Sequence, residues 1–276
     1  MAEPVPADCG AGQLTAASRS DRIEKGHSRK GGILGLDKVR AVFEEWGRGD
    51  PLHAALTRKG YEGGRWEVED FFRRGRDEID GVIAYVERLG MEPGRRRALD
   101  FGCGAGRLAQ GLARFFDEVD GVDISASMVE AAREHDAHPG RVRYHVNVAD
   151  DLALFGDDTF DLIYSNKVLQ HIPPAHQAAY VAEFVRVLRP GGIAVFQARN
   201  GPRIEPGTPR AWLYKLRREH FRRFWQRLRG RPPYEMHYLA ASIVRERVVA
   251  AGGRVIDIVD LSVRRPGRSL RYAVTK

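Results

Sequence analysis

Between Ala98 and Ala113 the chain reads ALDFGCGAGRLAQGLA. A short apolar run carries Asp100 near its end, glycines follow at 102, 104 and 106, and a helical pattern begins near Arg107. Glycine lets a backbone turn sharply and approach a ligand with no Cβ in the way. The free N–H groups of a helix starting at Arg107 would point at the same spot. A dinucleotide fingerprint, G-x-G-x-x-G, needs a third glycine where this chain has Arg107. A carboxylate this close to the loop also sits badly beside a pyrophosphate, and suits a ligand bearing an ammonium and a sulfonium. About twenty residues further on, the next apolar segment ends in Asp123, whose carboxylate can accept both hydroxyls of a ribose. The plain alternative is that both acids only cap helices or close turns at strand ends.

These residues need a scaffold. From Arg97 the strand patterns RALDF, EVDGVDI, VRYHVNV, FDLIYSN and GGIAVFQAR alternate with the helical patterns RLAQGLARFF, SMVEAAREH and HQAAYVAEFVRVLR. That alternation predicts a Rossmann-like α/β fold, a mostly parallel sheet with helices on both faces. Its ligand site falls at the carboxyl ends of the strands, at the switch point. After the fifth strand comes an interruption rich in proline and arginine, then a helix (YLAASIVRERVVAAGG) and two closing strands (RVIDIVDL and LRYAVTK).

Upstream, Val39, Val42, Phe43 and Trp46 recur at helical spacing from Asp37, with Gly47 as the expected stop. A looser stretch leads to a longer amphipathic helix over 67–89. The expected organisation is a disordered tail over 1–35, a helical cap over 36–96 lying above whatever the sheet binds, and an α/β domain over 97–276 with a basic insert at 199–235.

DFGCGAGRL, VDGVDISASMVEAA, FDLIYSNKVLQHIPP and VLRPGG resemble successive motifs of the class I S-adenosylmethionine-dependent methyltransferases. The resemblance covers roughly 99–258. It implies a seven-stranded sheet whose last strand is antiparallel, S-adenosyl-L-methionine as cofactor, and methyl transfer to a nucleophile. By position it implies that Asp100, Gly102, Gly104 and Gly106, with Cys103 inside the same loop, meet the methionine end. Asp123 would hold the ribose, with Ile124 and Met128 near the adenine. Many relatives carry Gly-Asp-Ala after the third strand, where this chain has Asn147-Val148-Ala149. The adenine contacts are therefore expected to shift to Asp151, Leu152 or backbone groups. Asn166, at the end of the fourth strand, joins this set, although it could equally orient an acceptor or close a turn.

For a hydroxyl acceptor a general base is useful, and histidine is the usual one. His171, just beyond the fourth strand, is the first candidate, against a structural role before Pro173 and Pro174; His237, after the insert, is the second. The insert segment AWLYKLRREHFRRFWQRLRG joins aromatic residues to arginines. A substrate lid, an anionic membrane surface, nucleic acid and a plain solvated helix face are its competing uses. The preferred reading is O-methylation of a small molecule or saccharide. N- or C-methylation, a lipid or quinone acceptor, and a non-catalytic cofactor-binding or RNA-binding module are the alternatives.

At 276 residues the chain can bury a large core without staples. Cys9 and Cys103 lie far apart and suggest neither a disulfide nor a zinc site, and no metal dependence is expected. The beginning of the chain lacks a secretory pattern, and no run approaches the ~18 apolar residues of a span, so a cytoplasmic location is expected. The net charge of +8 is uneven, with arginines crowded into 199–231 and acids into 117–161.

Overall fold

The computed structural model describes residues 34–202, 235–262 and 267–276. Residues 1–33 of the tail expected over 1–35, and most of the basic insert, 203–234, lie outside the described residues, while 34 and 35 already belong to the first helix. Three helices come first: α1 (Leu34–Gly49), α2 (Pro51–Ala55) and α3 (Val68–Arg88). The sheet units follow as β1 (Arg97–Phe101), α4 (Arg107–Leu112), β2 (Glu118–Asp123), α5 (Ala126–Glu134), β3 (Val142–Val146) and β4 (Phe160–Ser165). A 3₁₀ turn (Leu169–His171) then leads to α6 (Pro174–Val187), β5 (Leu188–Pro202), α7 (Ala241–Ala250), β6 (Arg254–Asp260) and β7 (Gly267–Thr275).

The strands form one seven-stranded sheet in the order β3-β2-β1-β4-β5-β7-β6. Every neighbour pair is parallel except those of β7, which runs antiparallel to both β5 and β6. The chain leaves β1 for β2 on one side and returns to β4 on the other, which opens a crevice at their carboxyl ends. Leu99, Ile163, Phe184 and Phe196 are fully buried in the core on one face, while Ala98, Leu162 and Val195 pack against Ile79 and Leu112 on the other. Asp120 pins three strands from below. It accepts hydrogen bonds from Arg97 Nε (2.7 Å) and Arg143 Nε (3.4 Å) and lies 2.8 Å from His145 Nε2. These partners outweigh burial and hold its carboxyl at about 2.

Three expectations need correcting. Gly47 does not end α1, which continues to Gly49. A Cβ at Gly47 would lie 2.3 Å from Ser127 Oγ and 3.0 Å from Met128 Sδ, so this glycine permits close packing of α1 on α5. The looser stretch after it also contains a helix that was not foreseen, α2, with Pro51 in its first turn and Asp50 accepting from the His53 N–H at 3.2 Å. Helix α4 is shorter than its pattern: it stops at Leu112, where Phe115 N and Phe116 N both return to the Leu112 carbonyl (2.8 and 3.1 Å).

Helices α3 and α4 cross at a glycine contact. A Cβ on Gly75 would lie 2.2 Å from the Arg107 carbonyl oxygen, and one on Gly111 would lie 3.0 Å from the Gly75 carbonyl. Backbone cannot yield as a flexible side chain can. Gly75→Ala is therefore expected to destabilise the fold by about 1–3 kcal/mol through overpacking. A drop in the urea midpoint with unchanged slope checks this; an unchanged midpoint would mean the helices slide apart freely.

Candidate functional site

A cavity of about 620 Å³ opens at the carboxyl ends of the central strands. Its floor includes Phe101 and Gly102 after β1, Asp123 and Ile124 after β2, and Asn166 and Lys167 after β4. Its roof is α1, through Val39, Phe43 and Trp46, and the end of α2, through Ala54 and Ala55. Glu44 clamps this roof down: its Oε2 accepts from Ser125 Oγ (3.0 Å) and the Ser127 N–H (3.2 Å), and Ser127 Oγ donates to its carbonyl (3.0 Å).

The glycine loop has the backbone its residue types predict. Gly102, Gly104 and Gly106 all take positive φ (79°, 52° and 81°), a region closed to most side chains. At Gly102 any side chain would also collide with Val168, whose Cγ2 lies 2.2 Å from a built Cβ. Asp123 borders the cavity and organises the loop, its Oδ2 accepting from the Gly104 N–H and its Oδ1 from the Ser125 N–H, each at 2.9 Å. Enclosure lifts its pKa above the ordinary carboxylate value, and these N–H groups hold it back.

Asp100 sits one layer lower. It is fully buried, it does not line the cavity, and among the described residues only the Ala109 backbone N–H offers its carboxylate a weak contact, short of a well-formed hydrogen bond. Burial pushes its pKa up to about 7 against the pull of Arg107. A cationic ligand above the glycine cradle would draw this carboxyl toward its ionised form.

Among the other expected site residues, Ile124, Met128 and Asn166 line the cavity. Cys103 does not: its side chain packs in the core near Gly121, and burial pushes its thiol well above the ordinary value. Gly106 stands outside the lining as the N-cap of α4. Asp151 and Leu152 also stay outside it. Asn147 takes the lining position, and its Nδ2 donates to the Asp151 carbonyl (2.7 Å), while Leu152 is fully buried with its N–H on Glu183. The chain curls at 147–149, with the Ala149 N–H on Asn147 Oδ1 (3.1 Å), and so turns Asp151 away.

His171 lines the cavity edge-on to Phe43, with ring centroids 5.3 Å apart. Its Nδ1 lies 3.4 Å from the Glu235 carbonyl and its Nε2 lies 3.1 Å from the Gln170 side-chain amide. A carbonyl only accepts, so this pairing goes with a proton on Nδ1 and with Nε2 accepting from the Gln170 amide. His237 is not a lining residue; its backbone N–H donates to the Gln170 carbonyl (2.8 Å), fastening the chain after the insert beside His171.

Sequence reasoning missed Glu78. From α3 it accepts hydrogen bonds from Asn166 Nδ2 (2.6 Å) and Tyr164 Oη (2.9 Å) and an ion pair from Arg107 Nη2 (2.9 Å). The signal was an acid on the stripe formed by Phe71, Gly75 and Val82. Burial alone would raise its pKa, but these partners prevail and lower it.

Residues 99–196 match the family model described as "Methyltransferase domain". The match spans about a third of the chain, from β1 into β5. Similarity to curated proteins is likewise partial. The "Ubiquinone biosynthesis O-methyltransferase" of Xanthomonas axonopodis pv. citri is 34% identical over 162 residues, which is 57% of this chain and 57% of that protein. Its namesake from Mesorhizobium japonicum is 41% identical over 119 residues, 43% of this chain and 47% of that protein. The chain thus spans about half the length of the curated relatives it matches. The magnesium protoporphyrin IX methyltransferase of Synechocystis PCC 6803, solved with bound SAH, shares the fold at a TM-score of 0.57 and 20% identity, covering 88% of this chain and 99% of that one. No helix among the described residues is long and apolar enough to cross a membrane.

The buried acid of β1 yields a pH prediction. Asp100 ionises near pH 7 when folded, against 3.8 when unfolded, so the folded state holds its proton more tightly. Stability is then highest below the unfolded value and falls as pH rises through the folded one. Relative to wild type, Asp100→Asn should gain up to about 4 kcal/mol between about pH 4 and about pH 8. Urea unfolding of both proteins across that range reads the difference, and a pH-independent gap would locate the buried proton elsewhere.

Proposed function

We propose that the chain is an S-adenosyl-L-methionine-dependent methyltransferase that methylates a hydroxyl group of a small molecule. The observation that carries this reading is the convergence of the positive-φ Gly102 and Gly104 with Asp123 on one cavity, within the segment that matches a methyltransferase family model. The residues fit such a cofactor. Gly102 and Gly104 leave room for its backbone-side approach, Asp123 is placed at the end of β2 to accept ribose hydroxyls, and Ile124 and Met128 offer apolar surface for adenine. The fully buried Asp100 lies below, where positive charge is favoured. When bound, the cofactor supplies a methyl group on a charged sulfonium for in-line displacement.

The protein's own part is alignment and exclusion of water. The α1 roof closes the cavity under the Glu44 clamp, and Glu78 fixes the amide of Asn166 at its floor. His171 can receive the acceptor's proton at Nε2 where the acceptor hydroxyl takes the place of the Gln170 amide that Nε2 meets at 3.1 Å. The relatives named for ubiquinone biosynthesis are O-methyltransferases, which supports oxygen as the methylated atom. The apolar roof favours a compact, largely apolar acceptor over a saccharide.

Titration calorimetry with S-adenosylhomocysteine beside NAD tests the cofactor. The first should bind and the second should not. Asp123→Ala should weaken S-adenosylhomocysteine by about tenfold or more while the circular dichroism spectrum stays native. Undiminished affinity in that variant would remove the ribose role, and binding of NAD instead would overturn the reading.

A further inference from the structure

The cavity is electrically polarised. Its lining acid, Asp123, ends β2 and is already engaged by backbone N–H groups. Two cations, Lys167 and Arg199, line the other side, after β4 and on β5. In the strand order β2-β1-β4-β5 the end of β4 stands two strand spacings from that of β2, about 10 Å, and β5 three, about 14 Å. Neither cation meets a carboxylate among the described residues. The half-buried Arg199 guanidinium donates from Nη1 to Met236 Sδ (2.7 Å) and lies 5.4 Å from the Tyr238 ring, both neutral partners.

Lys167 is held there against its own preference. Its φ of +64° is left-handed, uncommon for a lysine, and its N–H donates to Gln197 Oε1 at 3.0 Å. Gln197 in turn donates from Nε2 to Ser269 Oγ (2.7 Å), and the β5–β7 register sets Ser269 opposite Arg199. Two strands and a strained residue thus set the exposed Lys167 and the half-buried Arg199 at one end of the cavity lining. An arginine keeps its charge at any working pH, and its fork matches a carboxylate with two parallel bonds.

We infer that the methyl acceptor is a hydroxy acid, whose carboxylate binds Arg199 and Lys167 while its hydroxyl faces the cofactor side. This rests on the methyltransferase reading for which compound occupies that end, while the anion site itself can be tested without it. The test is calorimetry on the full chain, with and without saturating S-adenosylhomocysteine, using 4-hydroxyphenylacetate and its uncharged twin 4-hydroxyphenylacetamide. The acid should bind about tenfold more tightly than the amide, the worth of one charge-assisted contact. Arg199→Gln should erase that preference and Lys167→Gln should reduce it. S-adenosylhomocysteine affinity should stay within about twofold in Arg199→Gln, which certifies its fold. Equal binding of the two probes, no binding of the acid at millimolar concentration, or an undiminished preference in both variants would each overturn the inference. If S-adenosylhomocysteine itself fails to bind wild-type protein, the cofactor reading falls, and the acid–amide comparison still decides the anion site.

Discussion

The carboxylate of Glu78 is the joint on which the site depends. It comes from α3, outside the matched domain segment, and takes donors from α4 and from both sides of the β4 tip. Removing one partner of such a pair leaves a buried charge, which generally costs about 3–5 kcal/mol. Arg107 serves a second carboxyl by proximity, since its charge also pulls on Asp100. The two acids end in opposite states. Glu78, hydrogen-bonded and ion-paired, is driven toward ionisation; Asp100, fully buried with only a weak backbone contact, resists it. One guanidinium between two acids thus leaves a carboxyl in reserve beneath the glycine loop.

A second dependency runs through the roof. Ser125 caps α5 with its hydroxyl and offers its N–H to Asp123, and the same hydroxyl meets Glu44 of α1. The acid at the end of β2 and the helix above it are therefore tied through one serine. Lifting α1 would disturb the Asp123 loop, and reshaping that loop would loosen the roof. Close packing at Gly47 makes this coupling short and stiff.

The sheet and its glycine loop were readable because their signals are local. RALDF and FDLIYSN are apolar runs bounded by turns, and the glycine spacing states the backbone it needs. What stayed hidden depends on register between distant segments. Lys167 and Arg199 become neighbours of one cavity only through the pairing of β4, β5 and β7. Asn147 replaces Asp151 and Leu152 because of one curl after β3, which no periodicity announces. Other misses were legible after all. Asp50-Pro51 is a cap followed by a first-turn proline, and Glu78 interrupts an apolar stripe. His237 looked placed for chemistry by order along the chain, whereas its backbone bond to Gln170 shows a fastening.

The antiparallel strand has an implication for how the molecule assembles. In chain order β6 precedes β7, yet β7 lies between β5 and β6. A nascent chain completed only as far as β6 has nowhere to dock it, and β5 presents a bare row of N–H and C=O groups. Exposed rows of this kind invite pairing with other chains. The interior of the sheet is thus closed by a late insertion, and the interval before it is when this polypeptide is most vulnerable to sticking to its neighbours.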